Sequence, residues 1–185
     1  MTLETPIGAL HSAWMYARDA ASIATPIGLV RVTGTADRID AIEIGVGEIR
    51  VGEIGVGEIG VGDPEPATSS ALREALQQIE AYFAGRLTAF DLPLAPSLTE
   101  RGGVLRQAIV DIAYGSTASY GALASAIRSS PRAIGQACAR NPFPIVVPCH
   151  RILGARGALG AYSAGQGPIT KSRLLDHERP QGGLL

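Results

Sequence analysis

The segment VVPCHRILG, residues 146–154, places a cysteine directly before a histidine and directly after a proline. A free cysteine has a pKa of about 8.5, so a nucleophilic cysteine needs a neighbour that takes or shares its proton. On an extended backbone the side chains of Cys149 and His150 point to opposite faces, which favours a bridging water over direct contact. The same residues also fit a buried structural thiol at the end of a strand, and their spacing does not separate the two interpretations.

A histidine that acts as a base needs an acidic partner, which fixes the tautomer of its ring. Apart from Asp111, the acidic residues of the second half of the chain are Asp176 and Glu178, near the C-terminus. Either carboxylate could take this role. Upstream of the cysteine, residues 145–147 are expected to form a strand, and the Asn141 amide could brace the cysteine turn.

Apolar residues at helical spacing predict four helices in the second half of the chain, over 98–114, 119–128, 131–140 and 168–178. The second and third of these are short, and a tight polar turn joins them. Pro131 suits the first turn of the third helix. Two short helices in this arrangement are typical of a helix-turn-helix, which places its second helix against DNA.

The helix over 131–140 has two different faces. Ile134, Ala137 and Cys138 form its buried stripe, where Cys138 is expected to be a small core residue. Small residues on the outer face allow close approach of another molecule, and arginines neutralise phosphates or insert into a stacked duplex. A notch for packing against another helix is the alternative. The outer face comprises Arg132, Gly135, Gln136, Ala139 and Arg140.

The first half of the chain indicates a small α/β unit. Residues 22–35 (SIATPIGLVRVTGT) predict a turn followed by a strand, and residues 68–85 predict an amphipathic helix with Ser69 or Ser70 as its cap. Between them, residues 43–63 repeat the pattern I-x-V-G every five residues. Because an odd period turns successive copies onto opposite faces of a strand, a short strand followed by an irregular insert is expected.

Two prolines hold the segment DLPLAPS, residues 91–97, in an extended conformation that predicts the domain boundary. The chain is accordingly divided into three parts. These are an N-terminal extension (1–21), an N-terminal α/β domain that contains the repeat (22–92) and a C-terminal domain (93–185).

Charge is distributed unevenly along the 185 residues. Residues 1–100 carry 14 acidic and 6 basic side chains, whereas residues 101–185 carry 3 acidic and 10 basic ones, although the net charge of the whole chain is −1. The second half is therefore a candidate for binding a polyanion such as nucleic acid. Mutual attraction of the two halves explains the asymmetry equally well.

Several classes of protein and site are not indicated. The chain has no stretch of roughly 18 uncharged apolar residues, and its N-terminus lacks the features of a signal peptide, so we expect a cytoplasmic protein without membrane contact. The two cysteines, Cys138 and Cys149, are expected to be reduced. No CxxC or HxxxH spacing occurs, and we predict no metal site.

The segment NPFPIVVPCHRILGARGALGAY (141–162), followed by KSRLLDHE, resembles the active-site block of the O6-alkylguanine-DNA alkyltransferases, or methylated-DNA–protein-cysteine methyltransferases. ASYGALA and RAIGQACARNP resemble the helix-turn-helix of that family, and TPIGLVRV and IEAYFAG its N-terminal domain. The resemblance spans residues 22–180. It implies an α/β (α+β) fold, with a ribonuclease-H-like N-terminal domain of a small antiparallel sheet plus helix and a C-terminal helical domain carrying a winged-helix-like helix-turn-helix.

The resemblance also implies an activity. Cys149 would accept the alkyl group from O6 of guanine, or more weakly from O4 of thymine, in a single irreversible displacement. His150 would act as a base through a water, Glu178 would orient His150, and Asn141 would hold the turn. Tyr120 would donate a hydrogen bond to the leaving guanine, although its helical phase also fits a core position.

The implied partner is double-stranded DNA containing O6-alkylguanine, bound by a monomer that needs no cofactor and associates with the nucleoid. Arg132 would take the place of the extruded base, and the helix 131–140 would lie in the minor groove. The remaining implied DNA contacts are Ala133, Gly135, Gln136, Arg140 and Arg151. The implied substrate pocket comprises Tyr120, Val147, Pro148, Tyr162 and Ser163, the last offering its hydroxyl or amide to O6.

Two departures from the family pattern lie close to the implied site. The turn at 128–131 is about two residues shorter than usual, and the loop 163–170 has Ala164 where a glycine is common. The zinc ligands of some vertebrate members have no counterpart. Two other functions stay open: a non-catalytic sensor of alkylated DNA and a hydrolase of acyl groups that uses Cys149 and His150.

Overall fold

A computed structural model of the protein describes residues 19–45 and 67–179. Most of the segment predicted as an N-terminal extension and most of the pentad repeat, which is predicted to form an irregular insert, lie outside the described residues. No helix in the described ranges is long and apolar enough to cross a membrane.

The first half contains a three-stranded antiparallel sheet in the order β1-β2-β3, with β1 at Asp19–Thr25, β2 at Gly28–Gly34 and β3 at Ile39–Ile44. The predicted turn and following strand are confirmed as the β1–β2 turn and β2. Strand β1 is not evident from the sequence because alanine and serine have weak strand propensity. Its residues become a strand by pairing with β2, with Ala21 opposite Val32.

Helix α1 (Ser70–Phe83) packs on this sheet. As predicted, Ser69 caps it, because its Oγ accepts a hydrogen bond from the Leu72 N–H at 3.3 Å. The helix ends before Gly85, whose φ of 71° is a left-handed conformation that glycine adopts without a steric penalty. Its buried face comprises Ala71, Leu72, Ala75, Ile79 and Tyr82.

The second half is mainly helical, as the sequence predicts. Its helices are α2 (Glu100–Val110), α3 (Tyr120–Ala126), α4 (Pro131–Ala139) and α5 (Pro168–Glu178), and two short parallel strands, β4 (Ala118–Ser119) and β5 (Ile152–Leu153), join distant parts of it. Helix α2 is shorter than the predicted 98–114. The Thr99 side chain caps its first turn, and the chain beyond Val110 bends so that Ile112 is buried.

Helices α3 and α4 pack against each other and form the predicted helix-turn-helix pair. Arg128, in the turn between them, has a φ of 51°. Ser130 caps α4 through a hydrogen bond from the Ala133 N–H, and Pro131 occupies the first turn, where its missing N–H leaves no intrahelical bond unmade.

Backbone hydrogen bonds connect the two halves of the chain at strand β3. The Ile39 N–H donates to the Pro93 carbonyl at 2.8 Å, the Ala95 N–H donates to the Ile39 carbonyl at 2.8 Å, and the Ile42 N–H donates to the Pro142 carbonyl at 2.8 Å. Buried residues from both halves form one hydrophobic core. The segment that leads to Cys149 is thus anchored to the N-terminal sheet.

Candidate functional site

The segment before Cys149 is a compact turn, so the prediction of a strand over 145–147 is wrong. The Val147 N–H donates to the Phe143 carbonyl and the Cys149 N–H donates to the Val147 carbonyl, both at 2.8 Å. Ile145 has a φ of 75°, which is strained for a β-branched residue. Prolines within this segment remove the N–H groups that a strand would need. Residues Cys149–Arg151 then form a single 3₁₀ turn.

Asn141 stabilises this turn through three side-chain hydrogen bonds and one backbone hydrogen bond. Its Nδ2 donates to the Val147 carbonyl at 2.8 Å and to Cys149 Sγ at 3.3 Å. Its Oδ1 accepts from the Phe143 N–H at 3.0 Å, and its own N–H donates to the Cys138 carbonyl at 3.2 Å. One side chain therefore fixes the turn and also donates a hydrogen bond to the sulfur.

His150, the residue after Cys149, forms a buried pair with Glu178. The His150 Nε2 lies 2.8 Å from Glu178 Oε1, and both side chains are excluded from solvent. Burial lowers the pKa of His150, while the hydrogen bond that His150 donates to Glu178 and the charge of that carboxylate work against this shift. Because a carboxylate only accepts, a neutral His150 carries its proton on Nε2, which leaves Nδ1 as the acceptor. This Nδ1 is buried and has no hydrogen-bond partner among the described residues.

Of the two candidate acids, Glu178 is the partner of His150, whereas Asp176 is exposed and pairs with Arg179. The Glu178 carboxylate accepts five hydrogen bonds. Burial by itself raises its pKa, but the hydrogen bonds from His150, Arg151 and Tyr82 outweigh burial and lower the pKa to about 2. Glu178 is therefore ionised and available to orient the imidazole at neutral pH.

The structure corrects the prediction that Arg151 contacts DNA. Its side chain is buried, with Nε and Nη2 each 2.9 Å from the Glu178 carboxylate and Nη1 donating to the Ile112 carbonyl at 2.6 Å. These three hydrogen bonds all go to acceptors inside the protein. A buried guanidinium compensated in this way is a structural partner of Glu178.

A cavity of about 270 Å³ opens beside the sulfur. This is slightly below the roughly 300–1,000 Å³ of sites for drug-sized ligands, so the cavity suits one small ring system. Of the predicted pocket residues, Tyr120, Tyr162 and Ser163 line the cavity, whereas Val147 and Pro148 are buried in the turn and do not. The complete lining is Tyr120, Gly135, Cys138, Ala139, Cys149, Ala161, Tyr162 and Ser163.

Two residues that the sequence analysis does not single out lie at this site. Lys171 is fully buried on α5, and its Nζ donates to the Ile152 carbonyl at 2.6 Å. Burial raises the pKa of Cys149, and the hydrogen bond from Asn141 and the charge of Lys171 oppose that rise. Lys171 precedes Glu178 by two helical turns, so both residues lie on one face of α5. This spacing is a sequence signal that could have placed Lys171 at the site.

The other such residue is Tyr82, whose hydroxyl donates to Glu178 Oε1 at 2.7 Å. It reaches the site from α1, in the first half of the chain. No spacing rule connects residues so far apart in sequence. Cys138 also lines the cavity. Burial, and to a smaller extent the nearby Cys149, raises the pKa of its thiol to about 12, so little reactive thiolate forms there at neutral pH.

Helix α4 presents its predicted outer face to solvent. Arg132, Gln136, Ala139 and Arg140 are exposed, while Ala133 and Gly135 are partly exposed. A Cβ added at Gly135 would meet no neighbouring atom within 4 Å. Gly135 is therefore not a notch for another part of the described chain, and the face is free to approach another molecule. No cluster of His, Cys, Asp or Glu that could hold a metal ion occurs within residues 19–45 and 67–179.

Two family models match the sequence. The one described as "6-O-methylguanine DNA methyltransferase, ribonuclease-like domain" matches residues 20–96, and the one described as "6-O-methylguanine DNA methyltransferase, DNA binding domain" matches residues 104–180. The described fold thus carries both parts of one known architecture.

Similar curated proteins are described as methylated-DNA–protein-cysteine methyltransferases. The methylated-DNA–protein-cysteine methyltransferase of Methanosarcina acetivorans is 48% identical over 95 residues, which are 50% of this chain and 61% of that protein. The one of Mycobacterium leprae is 44% identical over 115 residues, 61% of this chain and 68% of that protein. The chain thus aligns with about three-fifths of the length of the first of these relatives.

Solved structures agree with this similarity. The Mycobacterium tuberculosis OGT in complex with DNA is 32% identical, with a TM-score of 0.69 over 88% of this chain and 95% of that one. A structure of the Mycobacterium tuberculosis O6-methylguanine methyltransferase has the same identity and TM-score, over 93% of its chain. The similarity therefore covers both halves of the fold.

Proposed function

Since the chain belongs to the methylated-DNA–protein-cysteine methyltransferase family, we propose that it repairs DNA by moving an alkyl group from O6 of guanine in duplex DNA to Sγ of Cys149. The observation that carries the proposal is the position of this sulfur. It lies at the wall of a cavity suited to one small ring system, beside the exposed face of α4 and next to the buried His150–Glu178 pair.

The first step is access to the base, because an alkyl group on O6 cannot be attacked in line inside a stacked duplex. The nucleotide must rotate out at a cost of a few kcal/mol. Helix α4 would lie in the minor groove, where Gly135 and Ala139 allow close approach. The exposed Arg132 would fill the gap left in the stack, and Arg140 would contact phosphate.

The second step is deprotonation of the thiol. Glu178 holds the Nε2–H of His150, so Nδ1 is the basic nitrogen, and a water between Nδ1 and Sγ would carry the proton of Cys149 to it. The thiolate then forms in a buried site, where the Asn141 hydrogen bond and the Lys171 charge favour it. His150 acts here as a general base through one intervening water molecule.

The third step is transfer. The sulfur forms a bond to the alkyl carbon as the carbon–O6 bond breaks, and the electron pair of that bond stays on the guanine. Tyr120 lines the cavity, and burial raises the pKa of its phenol, so the hydroxyl stays protonated and can donate to the leaving guanine. The thioether product has no acidic proton and is not cleaved again, so each molecule reacts once.

This chemistry needs one chain and no cofactor, because the thiolate is both nucleophile and final acceptor. O4-alkylthymine is expected to react more slowly in the same cavity. Both cysteines are free. A thiol that must stay reduced supports a cytoplasmic location, with the protein on the nucleoid when it is bound to DNA.

The test is incubation of the protein with a duplex oligonucleotide that contains one O6-methylguanine, followed by intact-mass measurement and peptide mapping. We expect a gain of one CH₂ unit at Cys149, retained in Cys138→Ser and lost in Cys149→Ser. Binding without a mass gain would favour a non-catalytic sensor of alkylated DNA instead. Turnover of an ester substrate without a mass gain would favour a hydrolase.

A further inference from the structure

The N-terminal half of the chain contributes a side chain to the buried charge network behind Cys149. Tyr82 lies on α1, on the face that packs on the sheet, and its ring is fully buried. Its hydroxyl donates to Glu178 Oε1 at 2.7 Å across 96 positions of sequence. The half of the molecule that lacks Cys149 thus touches the acid that orients His150.

The Tyr82 hydroxyl and the His150 ring share one acceptor atom. Glu178 Oε1 accepts from Tyr82 at 2.7 Å, from the His150 ring at 2.8 Å and from Arg151 Nη2 at 2.9 Å. Donors that share one oxygen draw on the same negative charge, so a stronger bond from one weakens the others. The strength of the His150–Glu178 bond therefore depends on whether Tyr82 donates.

Tyr82 is held in one orientation. Phe83, Phe90, Tyr114 and His177 surround its ring, with centroid distances of 4.9–6.0 Å. The ring nitrogen Nε2 of His177 lies 2.9 Å from the Tyr82 carbonyl. Burial, together with the adjacent Glu178 charge, raises the pKa of the Tyr82 phenol, so its hydroxyl stays a donor.

We propose that Tyr82 is a positioning residue that sets the proton affinity of His150 through Glu178, so that the N-terminal half of the molecule tunes the reactivity of the Cys149 thiol. This inference rests on the proposed function for its consequence in alkyl transfer. The hydrogen-bond competition itself is a property of the free protein.

Other charged or titratable groups face the same pair, and they stay in place when Tyr82 changes. Arg151 contacts Glu178 from the 3₁₀ turn, and Lys171 faces His150 from α5; both positive charges disfavour an imidazolium. Tyr114 approaches Glu178 from the loop after α2. A difference between the wild type and a Tyr82 variant therefore reports the phenol alone.

The first experiment measures the His150–Glu178 hydrogen bond by NMR on the full chain without DNA. In Tyr82→Phe, Glu178 Oε1 loses a donor, so we expect the Nε2–H resonance of His150 to move downfield at one neutral pH. Tyr114→Phe is the matched control, because Tyr114 belongs to the same aromatic cluster. Its hydroxyl donates to the His177 carbonyl at 3.3 Å and not to Glu178. Its His150 resonance is expected to stay at the wild-type position.

A second variant keeps the hydroxyl and changes only its donor strength. Placing 3-fluorotyrosine at position 82 makes the phenol a stronger donor, so the His150 resonance should move upfield, opposite to Tyr82→Phe. Thermal unfolding of each variant establishes that it is folded. In a Glu178→Gln background, where the shared acceptor is a neutral amide oxygen, Tyr82→Phe should produce a smaller change.

The second experiment measures the rate of methyl transfer against pH. A stronger His150–Glu178 bond raises the pKa of His150, so the acid limb for Tyr82→Phe should shift upward by about half to one pH unit. Unchanged NMR resonances and an unchanged acid limb in Tyr82→Phe would overturn the inference, as would an equal shift in Tyr114→Phe. A wild type that gains no methyl group would instead refute the proposed function, while the NMR result would still decide the role of Tyr82.

Discussion

Cys149 is subject to opposing influences at the scale of single residues. Burial raises the pKa of its thiol, and the Asn141 amide and the Lys171 ammonium work in the other direction. The thiol is thus protected by burial and still has two groups that stabilise its anion. The balance between these influences can be measured separately for each residue.

Replacing Lys171 by methionine is expected to slow the reaction of Cys149. The variant keeps a long side chain but removes the nearby positive charge, so the pKa of the thiol rises and less thiolate is present at neutral pH. We expect alkylation of Cys149 by iodoacetamide to slow several-fold at neutral pH, by up to about tenfold for each unit of pKa. Arg173→Met is the control, because Arg173 is exposed on the same helix. Equal rates in wild type and Lys171→Met would contradict the prediction.

Asn141→Ala is expected to destabilise the fold as well as the thiolate. The variant leaves the buried Val147 carbonyl and the Phe143 N–H without the Asn141 side chain, and an unsatisfied buried group costs roughly 1–3 kcal/mol. We expect the free energy of unfolding in urea to fall by about 2 kcal/mol. Gln136→Ala, an exposed change on α4, should stay within about 0.5 kcal/mol of wild type. A loss no greater than that of Gln136→Ala would argue against the bracing role.

At the scale of elements, local signals predict what local interactions determine. The ends of α1 and α4 follow from a serine cap, a glycine stop and a first-turn proline, each of which acts within one helical turn. The turn before Cys149 could not be predicted in this way. Its shape comes from Asn141 bonds that span several residues and from the anchoring of Pro142 to β3, so its apolar residues resemble a strand only in composition.

Helix α4 allows fold stability and DNA binding to be separated at one position. Gly135→Ala places a methyl group where no neighbouring atom of the described residues lies within 4 Å, so the better helix propensity of alanine should stabilise the protein by up to about 1 kcal/mol. The same methyl group lies on the face proposed to enter the minor groove, so affinity for duplex DNA should fall. Fluorescence anisotropy and urea unfolding measure the two effects.

The control for this prediction is Gly103→Ala on α2, another helical glycine at which an added Cβ would meet nothing within 4 Å in the described part of the chain. It should stabilise the protein to a similar extent and leave DNA affinity unchanged. Tighter DNA binding by Gly135→Ala would place the DNA elsewhere on the molecule.

At the scale of the whole molecule, the Glu178 network makes stability depend on pH. The pKa of Glu178 falls from an ordinary value of 4.5 to about 2 on folding, so its contribution is present above the unfolded-state pKa and is lost as pH falls toward 2. The difference corresponds to on the order of 3 kcal/mol. Acid should therefore loosen both halves together, because the network includes Tyr82 from one half and Arg151 from the other.

The measurement is urea unfolding at a series of pH values from neutral to about pH 3, for wild type and Glu178→Gln. Glu178→Gln should be less stable at neutral pH, because Arg151 is left buried without its counterion, and its stability should change less between pH 5 and about pH 3. Asp176→Asn, at an exposed acid on the same helix, should keep the wild-type slope. Parallel slopes for wild type and Glu178→Gln would refute the assignment.

Long-range contacts mark the limit of what could be predicted from the sequence. The Cys149–His150 pair, the candidate acids and the α4 face all follow from residue types and spacing within short segments. The Tyr82 contact and the burial of Arg151 depend on how the two halves pack, and no local pattern encodes that. The resemblance implies a DNA contact for Arg151, and only its neighbours in the fold show that it is buried against Glu178.

The hydrogen bonds at strand β3 also protect this edge of the sheet against aggregation. An edge strand normally offers free N–H and C=O groups to a strand from another molecule. Here Pro93, Ala95 and Pro142 occupy those groups at Ile39 and Ile42. The bond to Pro142, which anchors the cysteine turn, therefore also helps to cover the β3 edge of the sheet. A truncated chain without the second half would expose this edge as a template for self-association.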